Sequence, residues 1–366
     1  MSKFIVSGGG TGGHIFPAIA IANEIMQKKP DSEILFVGAE GKMEMEKVPA
    51  AGYKIEGLPV RGFQRKLTLS NISVIIKLLQ SMFKAKSIIK SFKPDVVIGV
   101  GGFASGPLLK QAQKLGIATL IQEQNSYAGV TNKLLAKKAD KICVAYENME
   151  QFFPADKIKI TGNPVRQSIL LNQDNNKEEA YEYFKVAANK KIVLVVGGSL
   201  GALTINESMA AGLDKYVKND IQLIWQTGKL YYPKVSDIQH KFIEKGIVIT
   251  EFITRMDLAY SIADVVISRA GASTVSELGL IHKPVIFVPS PNVAEDHQTK
   301  NAMALIHKNA AMMIEDVKAR EELVDTSIEL INDDFRMKAY EKNIASMGIE
   351  NSAETIVEEV FKLIKS

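Results

Sequence analysis

The chain has 366 residues, of which 46% are hydrophobic and 23% charged; this composition is ordinary for a globular protein, and the length favours two domains. Its single cysteine excludes an intrachain disulfide framework. Its apolar runs are too short for a signal-peptide core or for a membrane-spanning helix of about 18 residues. The net charge is +4, but residues 57–94 hold eight Lys or Arg and neither Asp nor Glu, so the positive charge is concentrated in one segment.

Short apolar runs alternate with helical stretches along almost the whole chain, which predicts parallel sheets covered by helices on both faces. The predicted strands are residues 4–7, 34–37, 96–100, 118–121, 141–144, 192–196, 222–225, 248–250, 265–268 and 285–288. They form two blocks that are separated near Asn163 by a Gly-Asn-Pro turn and a polar run. We therefore predict an α/β fold of two doubly wound, Rossmann-like parallel-sheet domains that face each other across a cleft.

Three glycine-rich loops, at residues 8–14, 99–107 and 197–202, each follow a predicted strand and precede a predicted helix. Glycine lets backbone N–H groups approach an anion, and the helix N-terminus adds a favourable potential. The first loop matches the dinucleotide fingerprint, but the nearest candidate for an acid that closes the second strand, Glu40, lies well beyond the spacing of about 20 residues that a ribose-binding acid requires. The loops therefore favour two phosphate-bearing ligands over a nicotinamide cofactor.

Six short motifs are specific in combination. They are residues 9–14 with Pro17, 101–107, 123–125 with 131–133, 162–166, 197–199 and 272–277. Together they resemble the peptidoglycan N-acetylglucosaminyltransferase family that converts lipid I to lipid II and has the two-domain GT-B fold, and the match spans essentially the whole chain. The resemblance implies an acceptor-binding, membrane-facing domain of residues 1–162 and 350–366, whose C-terminal helix returns to it, and a UDP-GlcNAc-binding domain of residues 163–349.

The resemblance implies a hexosyltransferase that moves GlcNAc, with inversion, from UDP-GlcNAc to the MurNAc-pentapeptide of undecaprenyl-diphosphate lipid I, forming lipid II. No cofactor is expected, and the chain has no Asp-x-Asp motif to chelate a metal ion. The alternatives are another GT-B glycolipid glycosyltransferase, a UDP-GlcNAc epimerase and a non-catalytic nucleotide-binding module. Nucleic acid is not an expected partner, because the basic segment has little aromatic interleaving.

The resemblance also implies a set of substrate-binding positions. They are Thr11, Gly12, Gly13, Asn125, Arg166, Ser199, Ile253, Ala272, Ser273, Thr274, Val275, Ser276, Glu277 and Gln298. Glu277 would accept hydrogen bonds from the ribose hydroxyls, although Thr274 and Glu277 also match a helix capping box. The backbone of Ile253 would pair with uracil, although the residue by itself looks like core. Gln298 would contact the GlcNAc hydroxyls, and Arg166 would stabilise the departing UDP.

His14 follows the first glycine loop and is the candidate general base, because the pKa of an unperturbed histidine lies near neutrality. The alternative is that His14 donates a hydrogen bond to the acceptor diphosphate. The residues alone do not separate these two roles.

The basic segment at residues 61–93 is predicted to meet an anionic membrane surface. Within it, apolar residues between 72 and 83 follow helical spacing. This stripe would either touch lipid or pack against the sheet, since every helix that flanks an α/β sheet needs an apolar face. The predicted location is peripheral, at the cytoplasmic face of the cell membrane.

Overall fold

The structure is a computed structural model that describes residues 1–60, 70–165, 176–198 and 201–364. Contacts divide the chain into two compact units. Unit 1 comprises Met1–Val165 and Ile349–Ser366, and unit 2 comprises Arg166–Gly348. Across the described ranges, no helix combines the length and apolarity that crossing a bilayer requires.

In unit 1, the described residues form a sheet of seven parallel strands in the order β3-β2-β1-β4-β5-β6-β7. The strands are β1 (Lys3–Gly8), β2 (Glu33–Ala39), β3 (Lys54–Leu58), β4 (Val96–Gly101), β5 (Ala118–Glu123), β6 (Lys141–Val144) and β7 (Ile158–Ile160). The helices between them are α1 (Gly12–Lys28), α2 (Glu44–Ala50), α3 (Ser70–Phe92), α4 (Ser105–Lys114) and α5 (Val130–Ala136). The strand order reverses between β1 and β4, and open α/β sheets bind ligands beyond the carboxyl ends of the strands at such a point.

In unit 2, the described residues form six parallel strands in the order β10-β9-β8-β11-β12-β13. The strands are β8 (Ile192–Val196), β9 (Gln222–Gln226), β10 (Ile247–Thr250), β11 (Val265–Ser268), β12 (Val285–Phe287) and β13 (Met312–Met313). The helices are α6 (Lys177–Phe184), α7 (Leu203–Lys218), α8 (Tyr232–Val235), α9 (Gln239–Phe242), α10 (Met256–Ile262), α11 (Ala272–Ile281), α12 (His297–Ile306), α13 (Ala319–Asn332) and α14 (Asp334–Ala345). The switch point of this sheet lies between β8 and β11.

The last helix, α15 (Ser352–Lys362), belongs to unit 1 and packs against α1. Its apolar side is buried at Ile356 and Val360, as the helical spacing of these residues requires. At the edge of this contact, Lys28 Nζ lies 2.6 Å from Glu354 Oε1. The core on this face of the sheet therefore joins residues from both ends of the chain.

Both sheets are parallel and are covered by helices, which confirms the predicted fold class. Three strands were missing from the sequence prediction: β3, β7 and β13. Each of them lies at the edge of its sheet. An edge strand is covered on fewer sides than a central one, so β3 and β7 carry charged residues instead of a continuous apolar run.

Candidate active site

The first glycine loop leaves β1 and enters α1 at the switch point of unit 1. Thr11 occupies the N-cap position with an extended backbone, and its side chain makes no capping hydrogen bond. Gly12 and Gly13 are the first two residues of the helix. The structure thus places these three predicted residues at the N-terminus of a helix of 17 residues. Backbone N–H groups at such a terminus favour an anion.

The His14 imidazole is held on both sides by glycine backbone. Its Nδ1 lies 3.1 Å from the carbonyl oxygen of Gly9 and 3.3 Å from Thr11 Oγ1. A Cβ atom added to Gly101, where φ is +109°, would lie 2.8 Å from His14 Nε2. Burial lowers the pKa of His14 below its ordinary value, and it outweighs the Gly9 hydrogen bond and the charge of Glu44, which raise it. The lowered pKa favours the neutral form of the ring, which is the form in which a histidine can accept a proton.

The second glycine loop, after β4, packs directly on the first. Gly102 has φ +90°, and a Cβ atom there would meet the Gly9 carbonyl group. Ser105, at the start of α4, donates a hydrogen bond to the carbonyl oxygen of Gly101 at 2.8 Å and lies 3.0 Å from that of Ser7. The two loops therefore form one continuous backbone surface beyond the carboxyl ends of β1 and β4.

Asn125, a predicted substrate contact, belongs to a hydrogen-bonded cluster around the buried carboxylate of Glu123. Glu123 Oε1 accepts from the backbone N–H of Asn125 at 3.1 Å and from its side-chain amide at 3.2 Å. Glu123 Oε2 accepts from Gly129 N–H at 3.0 Å and from Asn132 Nδ2 at 2.8 Å. The sequence motifs contain Glu123 and Asn132 but indicate no role for either. In the structure, Asn132 helps to hold the Glu123 carboxylate, and Glu123 orients Asn125.

The stretch from Ala272 to Glu277 forms the first turns of α11. Gly271 is the N-cap residue, and α11 begins at Ala272, so Thr274 is not an N-cap and the capping-box alternative is wrong. The hydroxyl of Ser273 is buried and has no hydrogen-bond partner in the described ranges, while Val275 packs inward and Ser276 lies on the next turn. This helix N-terminus can accept a phosphate group.

Glu277 lies in the second turn of α11, and the buried Tyr260 of α10 donates to its Oε2 at 3.3 Å. Sequence reasoning missed Tyr260. Gln298 lies in the first turn of α12, where its Oε1 accepts from Ser290 N–H at 2.8 Å. Asp296, which precedes this helix, has a left-handed backbone with φ +54°, a conformation that non-glycine residues rarely adopt and that is common at functional sites.

Ile253 has a buried side chain, so its side chain is core, as the residue alone suggested. Its backbone N–H donates to Gln226 Oε1 at 2.9 Å, and Gln226 Nε2 lies 3.3 Å from the carbonyl oxygen of Gly198. The buried Gln226 thus links the predicted uracil-binding segment to the third glycine loop, and sequence reasoning missed it. The two remaining predicted positions, Arg166 and Ser199, lie outside the described residues.

Only part of the predicted apolar stripe on α3 packs against the sheet. Four of its residues are exposed, with exposed fractions of 51% to 74%: Ile75, Ile76, Leu79 and Phe83. The buried side of the helix is formed instead by other residues, among them Ala85, Ile88 and Ile89. Packing in the core therefore does not explain these four residues.

Within the described residues, no group of three or more His, Cys, Asp or Glu side chains is placed to hold a metal ion.

The lone cysteine, Cys143, is fully buried in β6, and burial raises the pKa of its thiol to about 12.

Both parallel-sheet units match known glycosyltransferase domains. Residues 4–144 match the glycosyltransferase family 28 N-terminal domain, and residues 192–360 match the C-terminal domain of the same family. The crystal structure of MurG from Acinetobacter baumannii has a TM-score of 0.76 and 28% identity, over 99% of this chain and 100% of that one. A UDP-GlcNAc 2-epimerase from Neisseria meningitidis has a TM-score of 0.68 over 99% and 100% of the two chains, but its 16% identity shows the fold alone.

Two relatives carry the name UDP-N-acetylglucosamine–N-acetylmuramyl-(pentapeptide) pyrophosphoryl-undecaprenol N-acetylglucosamine transferase. The protein from Parabacteroides distasonis is 58% identical over 99% of this chain and 98% of its own. The protein from Flavobacterium psychrophilum is 55% identical over 100% and 98% of the two chains. The predicted resemblance is confirmed, and the chain belongs to glycosyltransferase family 28, in the group of peptidoglycan N-acetylglucosaminyltransferases.

Proposed function

We propose that this protein transfers GlcNAc from UDP-GlcNAc to an undecaprenyl-diphosphate-linked MurNAc-pentapeptide, which is the conversion of lipid I to lipid II. The observation that carries the proposal is the identity of 58% over 99% of the chain with a transferase named for these substrates. The helix N-termini at the strand ends of both units support it, because such termini favour anions and both substrates contain a diphosphate.

The proposed acceptor site is the surface formed by the first two glycine loops of unit 1. Thr11, Gly12 and Gly13 present the N-terminus of α1 to the acceptor diphosphate. His14 Nε2 takes the proton of the attacking sugar hydroxyl, since Nδ1 faces the Gly9 carbonyl oxygen. A carbonyl oxygen only accepts hydrogen bonds, so Nδ1 carries the proton and Nε2 has the free lone pair.

The proposed donor site is the N-terminal part of α11 in unit 2. Ser273 and the helix N-terminus bind the UDP diphosphate, and Glu277 accepts from the ribose hydroxyls. In the reaction, the acceptor oxygen forms a bond to the anomeric carbon while the bond from that carbon to the UDP oxygen breaks. The bonding electrons leave with UDP, whose charge the helix N-terminus stabilises, and a single displacement inverts the anomeric centre.

Transfer of labelled GlcNAc from UDP-GlcNAc to a short-chain lipid I analogue tests this function directly. We expect a product with one added GlcNAc in a β linkage, and His14→Ala lowers kcat by about 100-fold or more, because general base catalysis contributes about that factor. Conversion of UDP-GlcNAc without any acceptor would instead support an epimerase. A His14→Ala variant with an unchanged kcat and a raised acceptor KM would show that His14 binds the diphosphate and is not the base.

We also propose that the exposed face of α3 attaches the protein to the cytoplasmic face of the membrane. The exposed apolar residues lie in the segment that carries the eight positive charges and no acid. Apolar side chains that enter the interface and basic charge that attracts anionic lipid reinforce each other. The acceptor has an undecaprenyl chain, which stays in the bilayer, so a surface contact of this kind brings the enzyme to its substrate.

Vesicle binding gives a matched test of this attachment. We expect binding to vesicles with anionic lipid that weakens with added salt, because surface charges are screened. Phe83→Ser is expected to lower the partition coefficient of the protein between vesicles and water by about tenfold. The reason is that losing the phenyl ring removes roughly 1.5 kcal/mol of apolar burial. The control is Phe335→Ser, since Phe335 of unit 2 is also highly exposed, at 87% against 74% for Phe83. Equal effects of the two variants would refute a contact specific to α3.

A further inference from the structure

A buried carboxylate lies against the first glycine loop of unit 1. Glu44 is the first residue of α2 and only 1% exposed. Its Oε2 accepts from the backbone N–H of Gly10 at 2.9 Å, and its Oε1 accepts from that of Ala39 at 3.0 Å. Both partners found among the described residues are neutral backbone groups. Burying a charge with neutral partners is costly, so the site calls for an explanation of the charge.

The peptide group between Gly9 and Gly10 has Glu44 at one end and His14 at the other. Its N–H, which belongs to Gly10, donates to the Glu44 carboxylate. Its carbonyl oxygen, which belongs to Gly9, lies 3.1 Å from His14 Nδ1. Hydrogen bonds that share one peptide group polarise each other, because a negative charge on the N–H side makes the carbonyl oxygen a stronger acceptor.

We propose that Glu44 is a positioning residue for His14 and acts through the peptide group between Gly9 and Gly10. Its charge strengthens the Gly9 carbonyl as an acceptor, which holds the proton of the neutral imidazole on Nδ1 and leaves Nε2 free to take a proton. A carboxylate that orients a histidine directly has the same effect in hydrolases. The consequence for catalysis rests on the proposed role of His14, but the link between the two side chains does not.

A purely structural role, in which Glu44 only holds the first glycine loop by hydrogen bonds, does not account for the charge of Glu44. The adjoining helix N-terminus is suited to an anion, and a negative charge beneath it weakens that attraction. A neutral acceptor would brace the same loop without this cost. The charge does have a consequence at His14, since burial lowers the pKa of the imidazole while Glu44 raises it. Glu44 therefore keeps the base stronger than burial alone would leave it.

The link is tested on the full chain by NMR of ¹⁵N-labelled histidine, with the His14 signals assigned by comparison with His14→Ala. In Glu44→Gln we expect the pKa of His14 to fall and the population with the proton on Nε2 to grow. Glu44→Asp keeps the charge, so we expect its His14 pKa to stay above that of Glu44→Gln. If the two variants have the same His14 pKa, or if Glu44→Gln matches the wild type in both readouts, the proposal is wrong.

Asp140→Asn is the matched control, because Asp140 Oδ2 also accepts from a backbone N–H, that of Thr119, at 2.7 Å. Thr119 lies at the opposite end of its strand from the glycine loops. We expect Asp140→Asn to lower the unfolding midpoint in urea without changing the His14 signals. A change in those signals as large as that in Glu44→Gln would mean that any loss of stability disturbs His14, and it would overturn the proposal.

Enzyme kinetics separates the proposal from the role of His14 as base. If both hold, Glu44→Gln lowers kcat by about tenfold or more, leaves the KM for UDP-GlcNAc within about twofold, and moves the acid limb of the kcat/KM profile to lower pH with the pKa of His14. A shifted NMR titration with an unchanged kcat supports the link to Glu44 and contradicts His14 as the base.

Discussion

Gly102→Ala is expected to lower kcat/KM for transfer by about 100-fold, although it adds a single methyl group. Gly102 has φ +90°, and the added Cβ would meet the Gly9 carbonyl group, with the carbonyl carbon at 2.9 Å and the Gly9 nitrogen at 3.0 Å. Backbone cannot rotate away as a side chain can, so the first two glycine loops must separate. A displacement of about 1 Å in a catalytic arrangement costs about 100-fold in rate, and His14 lies within this arrangement.

The control for this prediction is Gly116→Ala in the same unit. Gly116 has φ +71°, and a Cβ there has no neighbour within 4 Å. Both variants lose roughly 1 kcal/mol because of the left-handed backbone, so both lower the urea midpoint, but Gly116→Ala keeps the wild-type kcat/KM. Near-normal transfer by Gly102→Ala would show that the contact between the two loops is not needed for activity.

Glu277→Ala is expected to weaken the use of UDP-GlcNAc by about 100-fold or more in kcat/KM. Two hydrogen bonds from ribose hydroxyls to a carboxylate contribute roughly 1.5 to 3 kcal/mol each, and the vicinal diol supplies both donors. Glu277→Gln keeps the shape and one acceptor oxygen, so its loss is smaller. Calorimetric titration with UDP measures the same effect without the acceptor.

The control is Glu321→Gln, which removes an exposed carboxylate from the first turn of α13 in the same unit. We expect it to change stability by a few tenths of a kcal/mol and to leave the affinity for UDP unchanged. If Glu277→Ala binds UDP with unaltered affinity, the ribose does not bind at α11 and the proposed donor site is wrong. A weaker affinity in both variants would indicate a general disturbance of unit 2 instead of a specific contact, because the loss of a negative charge alone would strengthen the binding of an anion.

The central strands and the glycine loops were predictable from the sequence, because both depend on short stretches of chain. A strand such as β4 is buried on both faces and must be apolar throughout. Glycine is favoured where backbone N–H groups at a helix start approach an anion closely, because it has no Cβ atom to obstruct the approach. The edge strand β7 was not predictable, since its residues are partly or fully exposed and carry no continuous apolar signal.

The direction in which a side chain points could not be decided from the sequence. The apolar stripe on α3 has helical spacing whether it touches lipid or packs against the sheet. The structure shows Leu79 and Phe83 facing outward, because other residues of the helix cover the sheet. Likewise, Thr274 and Glu277 match a capping box, but α11 begins at Ala272. The helix start depends on where β11 ends, which lies outside the four-residue pattern.

The sequence by itself determined that the chain has two parallel-sheet units with glycine loops at the strand ends, because apolar runs and glycines act over a few residues. Only the tertiary structure decided which groups surround those loops. Glu44 reaches Gly10 from 34 positions away, and Gly102 touches Gly9 because β4 lies beside β1. The order of strands in the sheet brings such residues together. The apolar pattern of one strand does not indicate which strand lies beside it, so the sequence pattern alone could not predict these contacts.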